Sequence, residues 1–222
     1  MDMTLEKRRS RLEKWLNIVA ENVAEAITNQ DIFREVQDII WNNPQLQKRP
    51  SGFYQWMLST FVHSSALAVR RQVDRGKDSL SLLKFLREVY EHPDLISFDY
   101  HRSLYGRLTK DLGDDLARRM YDKHVGKNST ELDKGKVQQE IDELLAKSKT
   151  IHHYADRTIA HYDARGLYDE PVPTFLELEE CLRFLQELVL KYLLLLKGGA
   201  PRSLSVSLTC DWKAVLRIPW IP

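Results

Sequence analysis

The chain has 222 residues, and its formal net charge is +1 because 33 basic residues nearly balance 32 acidic ones. This length suits a single domain, residues 1–222, and the charge balance excludes a global field that would draw the whole molecule onto nucleic acid or an acidic membrane. Two cysteines that lie far apart, Cys181 and Cys210, favour a reducing compartment, so we expect a soluble cytoplasmic protein.

Four helices are predicted in the first half of the chain, because apolar residues recur there at spacings of three and four. Polar caps, glycine and proline mark the ends of these helices. Ser79, for example, can cap the fourth helix, and the His92-Pro93 step ends it. The four helices are expected over about residues 4–28, 31–41, 51–75 and 79–91.

The segment of residues 93–108 has no clear period, and we expect irregular structure there. A short amphipathic helix should follow it and end at Gly126. Its apolar face would be formed by Leu112, Leu116 and Met120.

Two long helices are predicted in the second half of the chain. The longest covers residues 131–164, and another follows over residues 174–197. Thr174 and Glu177 have the spacing of a capping box, and Gly198 can adopt the left-handed conformation that ends a helix. Because the connection between these two helices is short, they should pack antiparallel.

The most apolar run of the chain, residues 188–196, is about half as long as a membrane span, so we expect it in a buried core and predict no membrane contact. The charged N-terminus lacks the apolar stretch of a secretory signal. From residue 204 onwards, apolar residues alternate with Ser and Thr, which predicts an extended tail that folds back on the helices. The predicted fold class is all-α, an antiparallel helical bundle with an extended C-terminal tail.

A stripe of polar residues on the longest predicted helix is the main indication of function. His153, Arg157 and His161 follow one another at intervals of four residues, which puts them on one face of an α-helix, with Asp156 and Asp163 beside them. An arginine can hold phosphate oxygens with its planar fork, and a histidine can move a proton to or from a ribose hydroxyl near neutral pH. The stripe therefore indicates phosphodiester chemistry, although the same residues could form intrahelical ion pairs and a packed histidine.

The ten residues 154–163, Tyr-Ala-Asp-Arg-Thr-Ile-Ala-His-Tyr-Asp, resemble the end of the signature helix of HEPN proteins (higher eukaryotes and prokaryotes nucleotide-binding), especially the branch typified by the AbiU abortive-infection proteins. The helix predicted from Thr174 fits the same arrangement, so the resemblance covers about residues 131–197. It implies a HEPN-like core over those residues, with extra helices before it. It also implies a homodimer that contacts RNA or a nucleotide in prokaryotic phage defence or a toxin–antitoxin system.

In catalytic members of that superfamily, an arginine and a histidine from two protomers form a ribonuclease cleft that needs no metal. The resemblance implies that His161 would act as the general acid or base and that Arg157 would hold the phosphate. Supporting roles would fall to Asp156, His153 and Asp163. Neither a cofactor nor a metal is expected.

One position departs from the family pattern. Ala155 stands where the family arginine is found, so Arg157 would have to substitute for it from another position on the helix. A displacement of a single residue turns a helical side chain by about 100°. The departure leaves a second interpretation open, a noncatalytic helical module that binds RNA, a nucleotide or a protein partner.

Three further groups have alternative interpretations. Imidazole and carboxylate groups could hold a transition metal, although the sequence has no HExxH or repeated Glu-x-x-His pattern. The basic residues 7–11 could contact RNA phosphates or simply solvate the chain start, and Arg70 or Arg71 could face the His161 cleft or complement a helix dipole. The candidate metal ligands are His152, His153, His161 and Asp163, with His124.

Overall fold

The protein is built from helices of very different lengths. The computed structural model describes residues 4–47, 52–160, 172–206 and 210–217, and it contains no strand among them. The all-α prediction is therefore confirmed. The helices are α1 (Leu5–Trp41), α2 (Pro44–Gln47), α3 (Gly52–Gln72), α4 (Leu82–Glu91), α5 (Phe98–Ser103), α6 (Lys110–His124), α7 (Lys134–Tyr154) and α8 (Phe175–Lys197), with 3₁₀ turns at Pro93–Ile96 and Trp212–Arg217.

The centre of the bundle is α8, because its C-terminal half is apolar on nearly every side. Every residue from 188 to 196 is buried or half-buried, which confirms the prediction that this run belongs to the core. Leucines dominate the helix, and a helix that is hydrophobic all round must be surrounded by other elements. Among the described residues, no helix is long and apolar enough to span a membrane.

Helix α7 runs antiparallel to α8, as side-chain pairs at their two ends show. Glu140 near the start of α7 pairs with Lys191 near the end of α8, whereas Thr150 near the end of α7 bonds Glu177 at the start of α8. The antiparallel packing of α7 on α8 is therefore confirmed. Glu140 also accepts a hydrogen bond of 2.7 Å from the buried Tyr192 hydroxyl, so the carboxylate is bonded on two sides where solvent is scarce.

Both ends of α8 follow the predicted capping chemistry. Thr174 Oγ1 accepts a hydrogen bond from the Glu177 backbone N–H, and the Glu177 carboxylate accepts one of 2.7 Å from the Thr174 N–H. Gly198 has a φ of 70°, and a Cβ there would lie 3.1 Å from Leu104 Cβ. The glycine therefore allows both the left-handed turn and the close approach of the neighbouring segment.

The prediction of separate helices over residues 4–28 and 31–41 is wrong, because α1 is continuous through 37 residues. The segment that suggested a break contains neither glycine nor proline, and Gln30 is buried within it. Tertiary packing then holds the second half of the helix in place. Phe33 stacks on Phe61 of α3 with ring centroids 4.2 Å apart.

Helix α6 buries a different face from the one predicted. Leu112 is 53% exposed, and the buried residues are Gly113, Ala117 and Tyr121. The Tyr121 hydroxyl donates a 2.7 Å hydrogen bond to the Ile96 carbonyl, so this side turns inward. Small residues at the other two positions let the helix approach its neighbours closely.

Several predicted boundaries are also shifted. Ser81, not Ser79, caps α4, and it accepts a hydrogen bond from the Lys84 N–H. The segment 93–108 contains α5 and a 3₁₀ turn that the sequence did not predict. Asp133 caps α7, so this helix begins at residue 134 instead of 131.

The N-terminal basic cluster is occupied by contacts within the fold. Arg9 donates a 2.9 Å hydrogen bond to the Leu95 carbonyl and lies over the Tyr100 ring at 4.4 Å. Arg11 pairs with Glu88 at 2.8 Å. These arginines connect α1 to α4, to the 3₁₀ turn at Pro93–Ile96 and to α5. Because they are engaged within the fold, they give little support to the RNA-binding interpretation.

The C-terminal tail folds back on α1, as predicted. Leu204 is buried, Ser205 Oγ donates a 2.6 Å hydrogen bond to Asp31, and the Val206 N–H donates to Thr28 Oγ1 at 3.0 Å. The described residues 199–206 have no regular structure, and the 3₁₀ turn after them was not predicted.

A buried histidine should make the stability of this fold depend on pH. His101 is fully buried, and its Nδ1 donates a 3.0 Å hydrogen bond to the Leu195 carbonyl. Burial lowers the pKa of His101 below its ordinary value of 6.5, although this hydrogen bond opposes the shift. The folded chain therefore binds a proton at His101 less readily than the unfolded chain does. The stability that neutral His101 contributes is fully present above pH 6.5 and is lost as the pH falls below this value.

We expect urea unfolding of the parent to give a smaller free energy of unfolding at pH 5.5 than at pH 7.5, and His101→Gln to reduce that difference. Part of it should remain, because burial also lowers the pKa of His124. An equal pH dependence in parent and variant would contradict the assignment to His101.

Candidate functional site

The longest predicted helix changes its hydrogen bonding near the candidate residues. α7 ends at Tyr154, and Ala155–Ala160 form a π-helical segment. A regular α-helix to residue 164 was therefore the wrong expectation for residues 155–160, and residues 161–171 lie outside the described residues. Because π-helical hydrogen bonds span five residues instead of four, this segment leaves the α-helical register on which the polar stripe was predicted.

A polar cleft of about 970 Å³ lies where the end of α3 meets the end of α7 and the π-helical segment. Its lining includes three fixed cations and two carboxylates, together with two adjacent histidines. A local excess of cations therefore exists here, although the whole chain is almost neutral. The charged residues and histidines of the lining are Arg70, Asp74, Arg75, Lys149, His152, His153 and Asp156.

Asp156 is the residue that joins the two sides of this cleft. Its Oδ1 accepts a hydrogen bond from Arg70 Nε of α3, and its Oδ2 lies 3.4 Å from Nδ1 of His152. The arginine and aspartate side chains are both 35% exposed, so the ion pair is accessible to solvent and to a solute. Asp156 was predicted to support His161 and Arg157, and that role stays a prediction. Its described contacts are with Arg70 and His152.

Close packing brings Arg70 to this position. Ser65, Ala66 and Val69 are buried on α3, and α3 packs on the π-helical segment, where Ala155 is 0% exposed. Small side chains on both elements allow this approach. The position at which the HEPN resemblance would place an arginine is therefore a packed interior position in this chain.

The loop after α3 is held in place by a lysine. Lys84 Nζ donates hydrogen bonds to the carbonyls of Gly76, Lys77 and Ser79 at 2.9, 2.9 and 2.8 Å. Ser81 Oγ donates another, of 2.7 Å, to the Asp74 carbonyl. This loop supplies the charged lining residues Asp74 and Arg75, so this carboxylate and this cation are presented by an ordered backbone.

The predicted site residues are only partly brought together. His153 and Asp156 line the cleft, whereas Arg157 is exposed and does not belong to the described lining. His161 and Asp163 lie outside the described residues, so their predicted roles stay predictions. Sequence reasoning assigned no catalytic role to His152, although its spacing of four residues from Asp156 was a signal for the contact.

Two candidate ligands of the alternative metal site, His161 and Asp163, lie outside the described residues. Among the described residues, no group of three or more His, Cys, Asp or Glu side chains could hold a metal ion. Burial is the main cause that lowers the pKa of His124, and the charges of Lys123 and Lys191 add to it. Because Lys191 lies near the end of α8 and Thr150 contacts its start, His124 lies at the other end of α8 from Thr150. It cannot join His152 in one coordination sphere.

Comparisons with family models, with curated proteins and with solved structures found no match to this chain.

The contact between Arg70 and Asp156 should be energetically modest. A double-mutant cycle with Arg70→Gln and Asp156→Asn is expected to give a coupling free energy of about 0.2–1 kcal/mol, because the pair is partly exposed and solvent screens it. The measurement is the free energy of unfolding in urea at low salt for the parent, both single variants and the double variant. A coupling indistinguishable from zero would mean that the two side chains do not hold each other in solution.

Proposed function

We propose that this chain is a HEPN-like RNA-binding protein of prokaryotic defence or toxin–antitoxin type and that it cleaves RNA without a metal ion. The observation that supports this proposal is the polar cleft, which gathers Arg70, Arg75 and Lys149 beside two histidines. Cations of this kind neutralise phosphates, and imidazole can move a proton at neutral pH. The resemblance of residues 154–163 to the HEPN signature helix supplies the reaction class.

In this proposal His161 would exchange a proton with the ribose hydroxyl or the leaving oxygen, and Arg157 would steady the phosphate. Asp156, His153 and Asp163 would support them. The family resemblance also motivates a homodimer, in which two copies would contribute to one cleft. The cytoplasmic location also belongs to this proposal.

A second candidate function is binding without cleavage, and one observation favours it. Ala155 occupies the position of the family arginine and is fully buried, and Arg157 is exposed outside the described lining of the cleft. A chain whose motif arginine is replaced by a packed alanine can keep a cationic surface and lose the catalytic pair. The candidate ligands are RNA, a nucleotide or a protein partner.

The enzymatic proposal predicts that the purified chain cleaves single-stranded RNA in buffer that contains a metal chelator. His161→Ala should lower the rate about 100-fold or more, because a general acid or base contributes about 10²–10⁴-fold. The readout is the size of end-labelled RNA fragments, with far-ultraviolet circular dichroism as a check that the variant folds. Absence of cleavage by the parent would remove the enzymatic proposal, and equal rates in parent and variant would remove His161 from it.

The enzymatic proposal, and the second candidate when its ligand is RNA, both predict that the cleft binds RNA electrostatically. Arg75→Gln and Lys149→Gln should each weaken binding and each make the dependence of log Kd on log salt concentration shallower by about 0.7–1, because each cation displaces about one condensed counterion from the RNA. Fluorescence anisotropy of a labelled RNA over a salt series measures this slope. Arg119→Gln is the matched control, since Arg119 is exposed on α6 and outside the cleft. Slopes that equal the parent's in both cleft variants would locate RNA binding elsewhere.

A further inference from the structure

The cleft contains a guanidinium and an imidazole that do not belong to the predicted pair Arg157 and His161. Arg70 reaches the cleft from α3, and His152 reaches it from the last turn of α7. Both contact the carboxylate of Asp156, through Arg70 Nε and through His152 Nδ1. One carboxylate therefore holds an arginine and a histidine next to each other at a cationic cleft.

We propose that Arg70 and His152, both held by Asp156, form the phosphodiester-cleaving site of this protein and act in place of Arg157 and His161. This inference rests on the proposed function, because it keeps RNA as the substrate and metal-independent cleavage as the reaction. It changes which residues perform the reaction.

The first support is the replacement of the motif arginine. Ala155 is fully buried in the π-helical segment against which α3 packs, so a guanidinium at that position would have to enter the core. Arg70 belongs to α3 and contacts Asp156, the residue directly after Ala155. A guanidinium presents five N–H donors in one plane, and its contact with Asp156 uses Nε, so the terminal amino groups have the geometry to donate to two phosphate oxygens.

The second support is the orientation of His152. A carboxylate 3.4 Å from Nδ1 favours the tautomer that carries its proton on Nδ1, which leaves Nε2 as the basic nitrogen. The His152 side chain is 40% exposed, so a substrate can reach it. A carboxylate that orients an imidazole in this way is the common arrangement of a catalytic base.

The proposed reaction is an intramolecular transesterification of RNA. His152 Nε2 takes the proton of a ribose 2′-hydroxyl while the 2′-oxygen forms a bond to the adjacent phosphorus, and the bond between that phosphorus and the 5′-oxygen breaks. The departing 5′-oxygen takes a proton from water, and His152 later releases its proton to water. The products are a 2′,3′-cyclic phosphate and a 5′-hydroxyl, and no oxidant, reductant or metal is needed. Arg70 stabilises the charge that develops on the phosphate oxygens.

The test compares variants of the full chain on one RNA oligonucleotide in chelator-containing buffer. We expect Arg70→Gln to lower the cleavage rate about 100-fold or more, as the loss of one charge-stabilising group does, and His152→Ala to lower it about 10²–10⁴-fold. Arg71→Gln is the matched control, because Arg71 is exposed at the same end of α3 and outside the described lining, and it should keep the parent rate. A DNA oligonucleotide of the same sequence should stay intact, since it lacks the 2′-hydroxyl.

Two measurements separate a chemical role from a structural one. Free imidazole added to the buffer should restore part of the rate of His152→Ala, which a misfolded variant would not show. Arg70→Lys keeps the positive charge and should fold, yet it should stay at least about tenfold slower than the parent, because an ammonium lacks the planar fork. Thermal unfolding of each variant shows whether a lost rate simply follows lost structure.

The outcomes distinguish this inference from the proposed function. Parent rates in Arg70→Gln and His152→Ala, together with loss of cleavage in Arg157→Gln and His161→Ala, would overturn the inference and leave the proposed function standing. A loss of rate in His152→Ala that imidazole does not restore would also overturn it. If the parent chain does not cleave RNA at all, both this inference and the enzymatic proposal are wrong.

Discussion

The constraint on which the rest of the structure depends is the burial of α8. Its C-terminal half is apolar on nearly every side, so the free energy of the fold is lowest only when other helices surround it. α1 and α7 meet this requirement by packing along it. Glu140 of α7 is paired with Lys191 and Tyr192 of α8 where this arrangement withdraws it from solvent. An uncompensated charge at that depth would destabilise the core strongly.

The geometry of the candidate site follows from this packing. Because α7 is held against α8 along its length, its last turn and the π-helical segment have a fixed place relative to α3. The small buried faces of α3 and Ala155 then bring the two elements close together, and Arg70 meets Asp156 at their edge. The burial of Ala155 is therefore explained by packing, and the charged groups of the cleft lie beside it.

Electrostatic pairing also differs between regions of the molecule. The arginines at the start of α1 are used to hold neighbouring elements, through Leu95, Glu88 and the Tyr100 ring. In the cleft, by contrast, three fixed cations face two carboxylates. The net charge of the whole chain is only +1, yet the cleft has a local surface that suits an anionic ligand. The net charge does not report this surface, because it depends on how the charged side chains are arranged in space.

The amino-acid sequence by itself determined the properties that depend on nearby residues: the all-α class, the caps at both ends of α8 and the burial of residues 188–196. Periodicity and capping act over a few residues, so they are readable without a structure. Only the tertiary structure decided that α1 is continuous, that α6 turns Tyr121 inward and that residues 155–160 are π-helical. It also decided that Arg70 meets Asp156, because these residues are 86 positions apart and no local spacing records which distant surfaces pack together.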